Sequence, residues 1–413
     1  MWSATPSLRR CWTFSEPGAP LPLINLKAGS LAGPGFLIGL FLACRREDTC
    51  PQEGNMLKSG SKLAVALSVL AVAACAQTGF DTKSAPAAAP TPAEIAAAAE
   101  APAGWRPFSA DSPWNTKIPA DATIDPLSEV LIEDFASHSS LAINMPLYSV
   151  ATYYIDSAKT PKKKVFPYFE GYYGRGFEPG TRIPAPAFAV PPGPEGSTAY
   201  LAMIDPAAGR AWEMKQGAQD PETGYWGTSF GAEVDLTGTG VAAPWMTASD
   251  ANLSASPRPS GVPLIAGLIR IDEIKAGRID HALAIAYPAP RTGSFVSPAS
   301  MALEAPEGAE PNLVGLPMGA RIQLDPAYDI ENTNLTPAAK VIARALQEYG
   351  AIVVDQTGST VLFAESAPAQ LEAWQGLLAP ADLSLLFTED MMGRNFRVLK
   401  LGEQMPGRPE AWR

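Results

Sequence analysis

The sequence predicts a mainly β fold: one domain built as a two-sheet β-sandwich of jelly-roll type, with a few short helices packed on it. Three observations predict it. The 413-residue chain carries 41 prolines and 35 glycines, which favour short strands and frequent turns over long helices. Short segments of β-prone residues recur between turn clusters, the pattern of half-buried strands. No internal repeat and no strand–helix–strand alternation runs through the chain, which argues against a parallel α/β sheet.

Taken in order, residues 1–55 lack the periodicity a folded domain needs, and are read as an upstream extension ahead of a true start at Met56. Met56 to Cys75 reads MLKSGSKLAVALSVLAVAAC. Two lysines (Lys58, Lys62), a short apolar run and small residues before a cysteine describe a secretory signal. The run falls well short of the roughly twenty residues that span a bilayer as a helix. Residues 76–104, rich in Ala and Pro, read as a tether with a helical patch near Ala93–Glu100. The β-rich domain is expected over residues 105–402, with a loose tail at 403–413.

Within that domain, Leu127–Ala136 reads as a short helix and Leu147–Ile155 as a strand. TAYLAMID (198–205) and RAWEMKQG (210–217) form a hairpin about Pro206–Gly209. Tyr225–Leu236 reads as one alternating strand and Ala351–Glu365 as a second hairpin. Ile271–Ala276 reads as a helix stopped by Gly277. Pro337–Tyr349 reads as a helix with Val341, Ile342, Ala345, Leu346 and Tyr349 on one face. Two further helices are expected after Pro368.

Charge and cysteine use narrow the function classes. All four cysteines (Cys11, Cys44, Cys50, Cys75) lie at or before residue 75, so the rest of the chain has no disulfide, thiol nucleophile or zinc–thiolate site. Residues 1–75 hold seven of the 31 Lys/Arg and four of the 42 Asp/Glu, which leaves the remainder at net −14. Such a body is repelled by phosphate backbones, which argues against a nucleic-acid partner.

No Gly-rich phosphate loop, HExxH, GxSxG or histidine pair at metal spacing is present, so no cofactor and no metal are expected. DPAYDIENTN (325–334) matches no calcium loop and reads as turn and cap chemistry. What remains is carboxylates, tyrosines and at most one imidazole, the tool kit of enzymes that cut glycosidic bonds by hydrolysis or by β-elimination. The catalytic candidates are His281, Glu213 and Glu233. His281 lies in an apolar run (279–287) read as a central strand, where it is either a neutral base or a satisfied core residue. Glu213 and Glu233 lie on successive strands and are candidates to face each other across a ladder, or are two solvated carboxylates. Tyr225, Lys215 and Arg258 are the substrate-binding candidates. Arg258 is suited to a bidentate grip on a carboxylate, or is a surface residue.

Two resemblances add to this. Val72-Ala73-Ala74-Cys75 resembles the lipobox of bacterial lipoproteins, which implies lipidation at Cys75 and a membrane link through that lipid. Ala76 in place of aspartate then implies outer-membrane rather than inner-membrane sorting. SPWN (112–115), GVPLIAGLIRIDEIKAGRIDHAL (261–283) and RALQEYGAIVVDQTG (344–358) resemble a widespread set of secreted bacterial proteins over residues 105–366. That resemblance implies one exported domain and brings no activity with it. The expectation is a lipid-anchored envelope protein acting on a polysaccharide as hydrolase or lyase; the alternative is a non-catalytic lipoprotein that binds a glycan or a partner protein.

Overall fold

LAIAY (283–287) and AIVVD (351–355) are apolar at nearly every position, which suits strands covered on both faces, and they become neighbours in the middle of the largest sheet. The computed structural model describes residues 90–408 except 139, 144–148, 169–175, 194–197, 246–255, 380–381 and 385–386. All lie in one compact unit, Lys83–Arg413. The expected start, signal segment and lipidated Cys75 fall outside the described residues.

In chain order the first elements are α1 (Pro92–Ala98), α2 (Ser128–Ser137), β1 (Ala142–Ile143), β2 (Val150–Tyr154), β3 (Lys162–Pro167) and β4 (Thr181–Pro184). Then come β5 (Tyr200–Asp205), β6 (Arg210–Lys215), β7 (Ala218–Gln219), β8 (Trp226–Thr228) and β9 (Phe230–Asp235). The second part holds α3 (Ile271–Ala276), β10 (Leu283–Tyr287), β11 (Ser294–Phe295), β12 (Arg321–Leu324), α4 (Pro337–Glu348) and β13 (Ala351–Gln356). It closes with β14 (Val361–Leu362), α5 (Pro368–Ala373), α6 (Glu389–Asn395), β15 (Phe396–Val398) and β16 (Met405–Pro406).

The described chain is mainly β, with several sheets and a few short helices. Six strands make one sheet in the order β1-β14-β10-β13-β12-β15; two four-stranded sheets run β2-β5-β6-β9 and β4-β3-β8-β7; β11 and β16 pair alone. The four-stranded sheets share a small core of Ala151, Tyr153, Val165, Ile183, Leu201, Met203, Met214 and Trp226. Alternate residues of the β2-β5-β6-β9 sheet (Tyr200, Ala202, Ile204, Ala211, Val234) join instead the larger core, with β10, β13 and α4. β2 and β5 are therefore buried on both faces, while β6 and β9 keep exposed positions at Arg210, Glu233 and Asp235.

A jelly roll is not confirmed. It is made of antiparallel Greek keys, whereas β1–β14, β10–β13, β2–β5 and β3–β8 are parallel pairs, and the sheets stay open. The β10–β13 pair also overturns the expected lack of strand–helix–strand connection: α4 leads directly into β13. Thr336 caps α4, its hydroxyl accepting from the Ala339 N–H at 3.3 Å, Pro337 opens the first turn, and Val341, Ile342, Ala345 and Leu346 are buried. The connection was hidden because β11 and β12 intervene.

One hairpin holds and other expectations change. The 198–217 hairpin forms as read, with Asp205 Oδ1 accepting from the Ala207 and Ala208 N–H groups to fix its turn. The second hairpin does not form: β10 lies between β13 and β14 and pairs with both. The single strand expected over Tyr225–Leu236 breaks at Ser229, so that β8 and β9 belong to different sheets. The tail expected to be loose is paired at Met405–Pro406, and the Trp245 indole donates to the Pro406 carbonyl at 2.7 Å. At the other end, Ala98 and Ala99 are buried and Gln370 Nε2 donates to the Ala99 carbonyl, so the last part of the Ala/Pro-rich segment packs on the body.

Candidate functional site

Glu213 follows the alternation of β6 and points into the larger core, where it is fully buried. The N–H groups of Leu264 and Ile265 donate to its two oxygens at 2.8 and 3.1 Å. The loop that supplies them turns back at Gly267, whose φ is +71° and where a Cβ would lie 2.4 Å from the Ala284 nitrogen, so only glycine fits. Burial pushes the Glu213 carboxyl up to about 7 against the pull of those two N–H groups and of Arg258.

Arg258 is not a surface residue. It is fully buried beneath the same loop, donating through Nη1 to the Pro263 and Ala266 carbonyls (3.2 and 3.4 Å) and through Nη2 to Leu264 (3.1 Å). Its guanidinium lies 4.6 Å from the Phe363 ring centroid. Burial lowers its affinity for the proton, while Asp355, Tyr200 and Glu213 oppose that. Asp355, buried and raised by that burial, accepts from the Tyr200 hydroxyl at 2.7 Å. All the donors of Arg258 that are engaged serve its own loop, so a bidentate grip on an outside carboxylate has no geometry here.

His281 precedes β10 rather than lying within it, and it is buried. Its Nδ1 faces the Ala282 carbonyl at 2.9 Å and its Nε2 faces Glu273 Oε1 at 3.0 Å. Both ring nitrogens thus have polar partners inside the protein, which is the satisfied core residue of the two expected readings. Glu273 also binds Arg270 Nη2 at 2.9 Å. Burial pushes Glu273 up, but the charge and hydrogen bond of His281, with Arg270, more than offset it and hold it below its ordinary value. Behind this pair Glu365 accepts from the Tyr154 hydroxyl (2.8 Å) and the Ile271 N–H (3.1 Å), and burial raises it to about 7.

The ladder separates the two candidate carboxylates. Glu213 is opposite Ala232 and Glu233 opposite Trp212, which places them on opposite faces of the sheet. Glu233 is half-exposed, accepting from the Trp212 indole at 3.1 Å and lying 3.7 Å from Arg210. Lys215 shares the Glu213 face, and Tyr225 is exposed just ahead of β8, a strand of the other four-stranded sheet. The structure thus brings Glu213 and Arg258 beneath one loop in the core, puts Glu233 on the opposite face of its sheet from Glu213, and partners His281 with Glu273 rather than with either candidate carboxylate. Among the described residues no group of three or more His, Cys, Asp or Glu side chains is placed to hold a metal. No described helix is long and apolar enough to cross a membrane.

One open face does carry a concentrated chemistry. On β3, Lys162, Lys164 and Phe166 share the side opposite buried Val165. Lys164 pairs with Arg182 of β4, and Phe166 with Gly227 of β8. The Phe166 and Tyr225 rings are 5.6 Å apart, Lys164 Nζ lies 5.3 Å over the Tyr225 ring, and Tyr168 covers Gly227. Phe166, Tyr168 and Tyr225 remain 40%, 57% and 38% exposed. Sequence reasoning named only Tyr225 of this group; the basic–aromatic alternation of KKKVFPY (162–168) was the available signal.

A groove of about 1100 Å³ lies elsewhere, lined by Ile274, Pro337, Val341, Leu371, Trp374 and Leu378 among others. None of Glu213, Glu233 and His281 lines it. Compared with protein-family models, curated proteins and solved structures, the chain matches none.

Proposed function

We propose that this chain is a lipid-anchored envelope protein that binds a polysaccharide without cutting it. The observation that carries the reading is the open aromatic face formed by Phe166 on β3, Tyr168 just after β3 and Tyr225 just before β8, the two inner strands of their sheet. Flat rings exposed on a rigid sheet offer stacking surface to sugar rings at little cost in side-chain entropy, and soluble monomers rarely leave such rings grouped and bare. Hydrolysis or elimination needs an acid and a base reaching one bond. Glu213 and His281 are instead buried with their partners, and Glu233 lies on the opposite side of its sheet from Glu213. The two-sheet sandwich expected from sequence is, on this reading, the pair of four-stranded sheets around the smaller core, which presents the binding face.

Affinity electrophoresis of the full chain through gels holding alginate, polygalacturonate or dextran tests the reading. At least one polymer is expected to retard the protein. Tyr225→Ala and Phe166→Ala are each expected to weaken that retention about tenfold, the scale of a central aromatic contact, with an unchanged melting temperature. Retention that survives both substitutions would remove the face from the account. Export and anchoring are tested separately: labelled palmitate is expected to enter the wild-type protein and not Cys75→Ala, and equal labelling of both would exclude Cys75 as the anchor.

A further inference from the structure

We infer that the ligand of the β3–β8 face is an acidic polysaccharide, one whose sugars carry carboxylates; this rests on the reading of that face as glycan-binding. The four strands of the sheet contain Lys162, Lys163, Lys164 and Arg182 and no Asp or Glu, in a chain with 42 acidic against 31 basic residues. The basic side chains are therefore concentrated where the rest of the protein is acidic. The geometry adds direction. Arg182 and Lys164 are cross-strand partners, Lys164 Nζ lies over the Tyr225 ring, and two residues along β3 Phe166 pairs with Gly227. A sugar ring stacked on Phe166 and Tyr225 thus presents its substituents to Lys164 on one side of the platform and to Arg182 beyond it.

Neither edge protection nor surface ion pairing accounts for these lysines. Lysines on a sheet often guard an edge against pairing with other chains, but β3 is an inner strand with β4 and β8 on its flanks. They also serve surface ion pairs, yet none of the salt bridges among the described residues involves Lys162, Lys164 or Arg182. Of the described acids that flank these strands, Glu178 and Glu222 lie outside the strands, Asp156 pairs with Lys159, and Asp220 is engaged by the N–H groups of its own turn. A nucleic acid would meet the same cations, but its dense phosphate charge would also meet the acidic remainder of the body.

The test is isothermal titration of the full-chain protein, in detergent, with polygalacturonate, with uncharged dextran and with duplex DNA. Polygalacturonate is expected to bind more tightly than dextran, and to weaken as salt is raised. The triple variant Lys162→Gln, Lys164→Gln, Arg182→Gln is expected to lose about tenfold or more in affinity for polygalacturonate and most of its salt dependence. Dextran binding should be unchanged by it. All three side chains are at the surface, so the melting temperature serves as the folding control, with Lys164→Gln alone as the second variant. Equal binding of dextran and polygalacturonate, with no effect of the triple variant, would overturn the acidic specificity and leave glycan binding standing. Binding of neither polymer would overturn both. DNA bound as tightly as polygalacturonate would replace the inference with an unselective polyanion surface.

Discussion

Arg258→Ala is expected to destabilise the fold by about 3–5 kcal/mol, the scale of a large core truncation that also leaves buried acceptors without donors. Three costs combine. The carbonyls of Pro263, Leu264 and Ala266 lose their donors in a region closed to water. Glu213 and Asp355 lose the cation that pulls both toward ionisation. Phe363 loses the guanidinium stacked on it, which leaves a void. Arg258→Lys is expected to recover little of this, because one ammonium cannot span three carbonyls and stack on a ring at once. Urea unfolding checks it, with a shift of the midpoint at constant slope. A loss under about 1 kcal/mol, as for an exposed pair, would mean that the 256–267 loop does not depend on this residue.

The second large effect is on pH dependence. Glu213 and Glu365 are both raised by burial to about 7 from the 4.5 of an exposed glutamate. The folded chain keeps these protons to higher pH than the unfolded chain does. The stability they contribute is therefore full below pH 4.5 and is lost as pH rises towards about 7. Glu273 acts in the opposite sense: held low mainly by His281 against burial, it stabilises above 4.5 and its contribution is lost as pH falls through its depressed value. The protein is thus expected to be most stable in mild acid and to lose on the order of 3 kcal/mol per raised carboxyl by pH 8.

Glu365→Gln should remove roughly half of that decline. An amide keeps an acceptor for the Ile271 N–H, and the Tyr154 hydroxyl can turn to accept from its nitrogen. Urea midpoints for both proteins at pH 5 and pH 8 give the comparison. Equal wild-type stability at the two values, or an undiminished slope in the variant, would mean that these carboxyls are hydrated.

Local signals were legible in the sequence and long-range pairing was not. The 206–209 turn has the residues such a turn demands, and it forms where the sequence places it. α4 carries its cap, its proline and its apolar face in one contiguous stretch, and it too is where expected. Sheet membership depends instead on partners distant in the chain. β8 and β9 keep one unbroken alternation across Ser229, so nothing local shows that the chain changes sheets there. β13 and β14 carry turn residues between them, yet β10 occupies the place between the two strands.

The same limit governs the candidate site. Glu213 and Glu233 alternate correctly along their own strands, but a register that sets 213 opposite 232 puts them on opposite faces. Arg258 sits in a loop of small residues that reads as surface, and only the fold shows that this loop is roofed over by β10 and Phe363. Glu273 and Glu365, the partners that define the surroundings of His281 and Tyr154, are charged residues in ordinary-looking segments, with nothing local to mark them as buried.

The most direct test of the account is to saturate the full-chain protein with polygalacturonate and measure the polymer's length distribution over time, by gel filtration with light scattering. Binding with the polymer unchanged in length, and without unsaturated chain ends, is the predicted result: the glycan is held on the β3–β8 face, and no acid–base pair reaches its linkages. Shortening of the bound polymer would contradict it, and would mean that groups other than the buried Glu213 and His281 perform the cleavage.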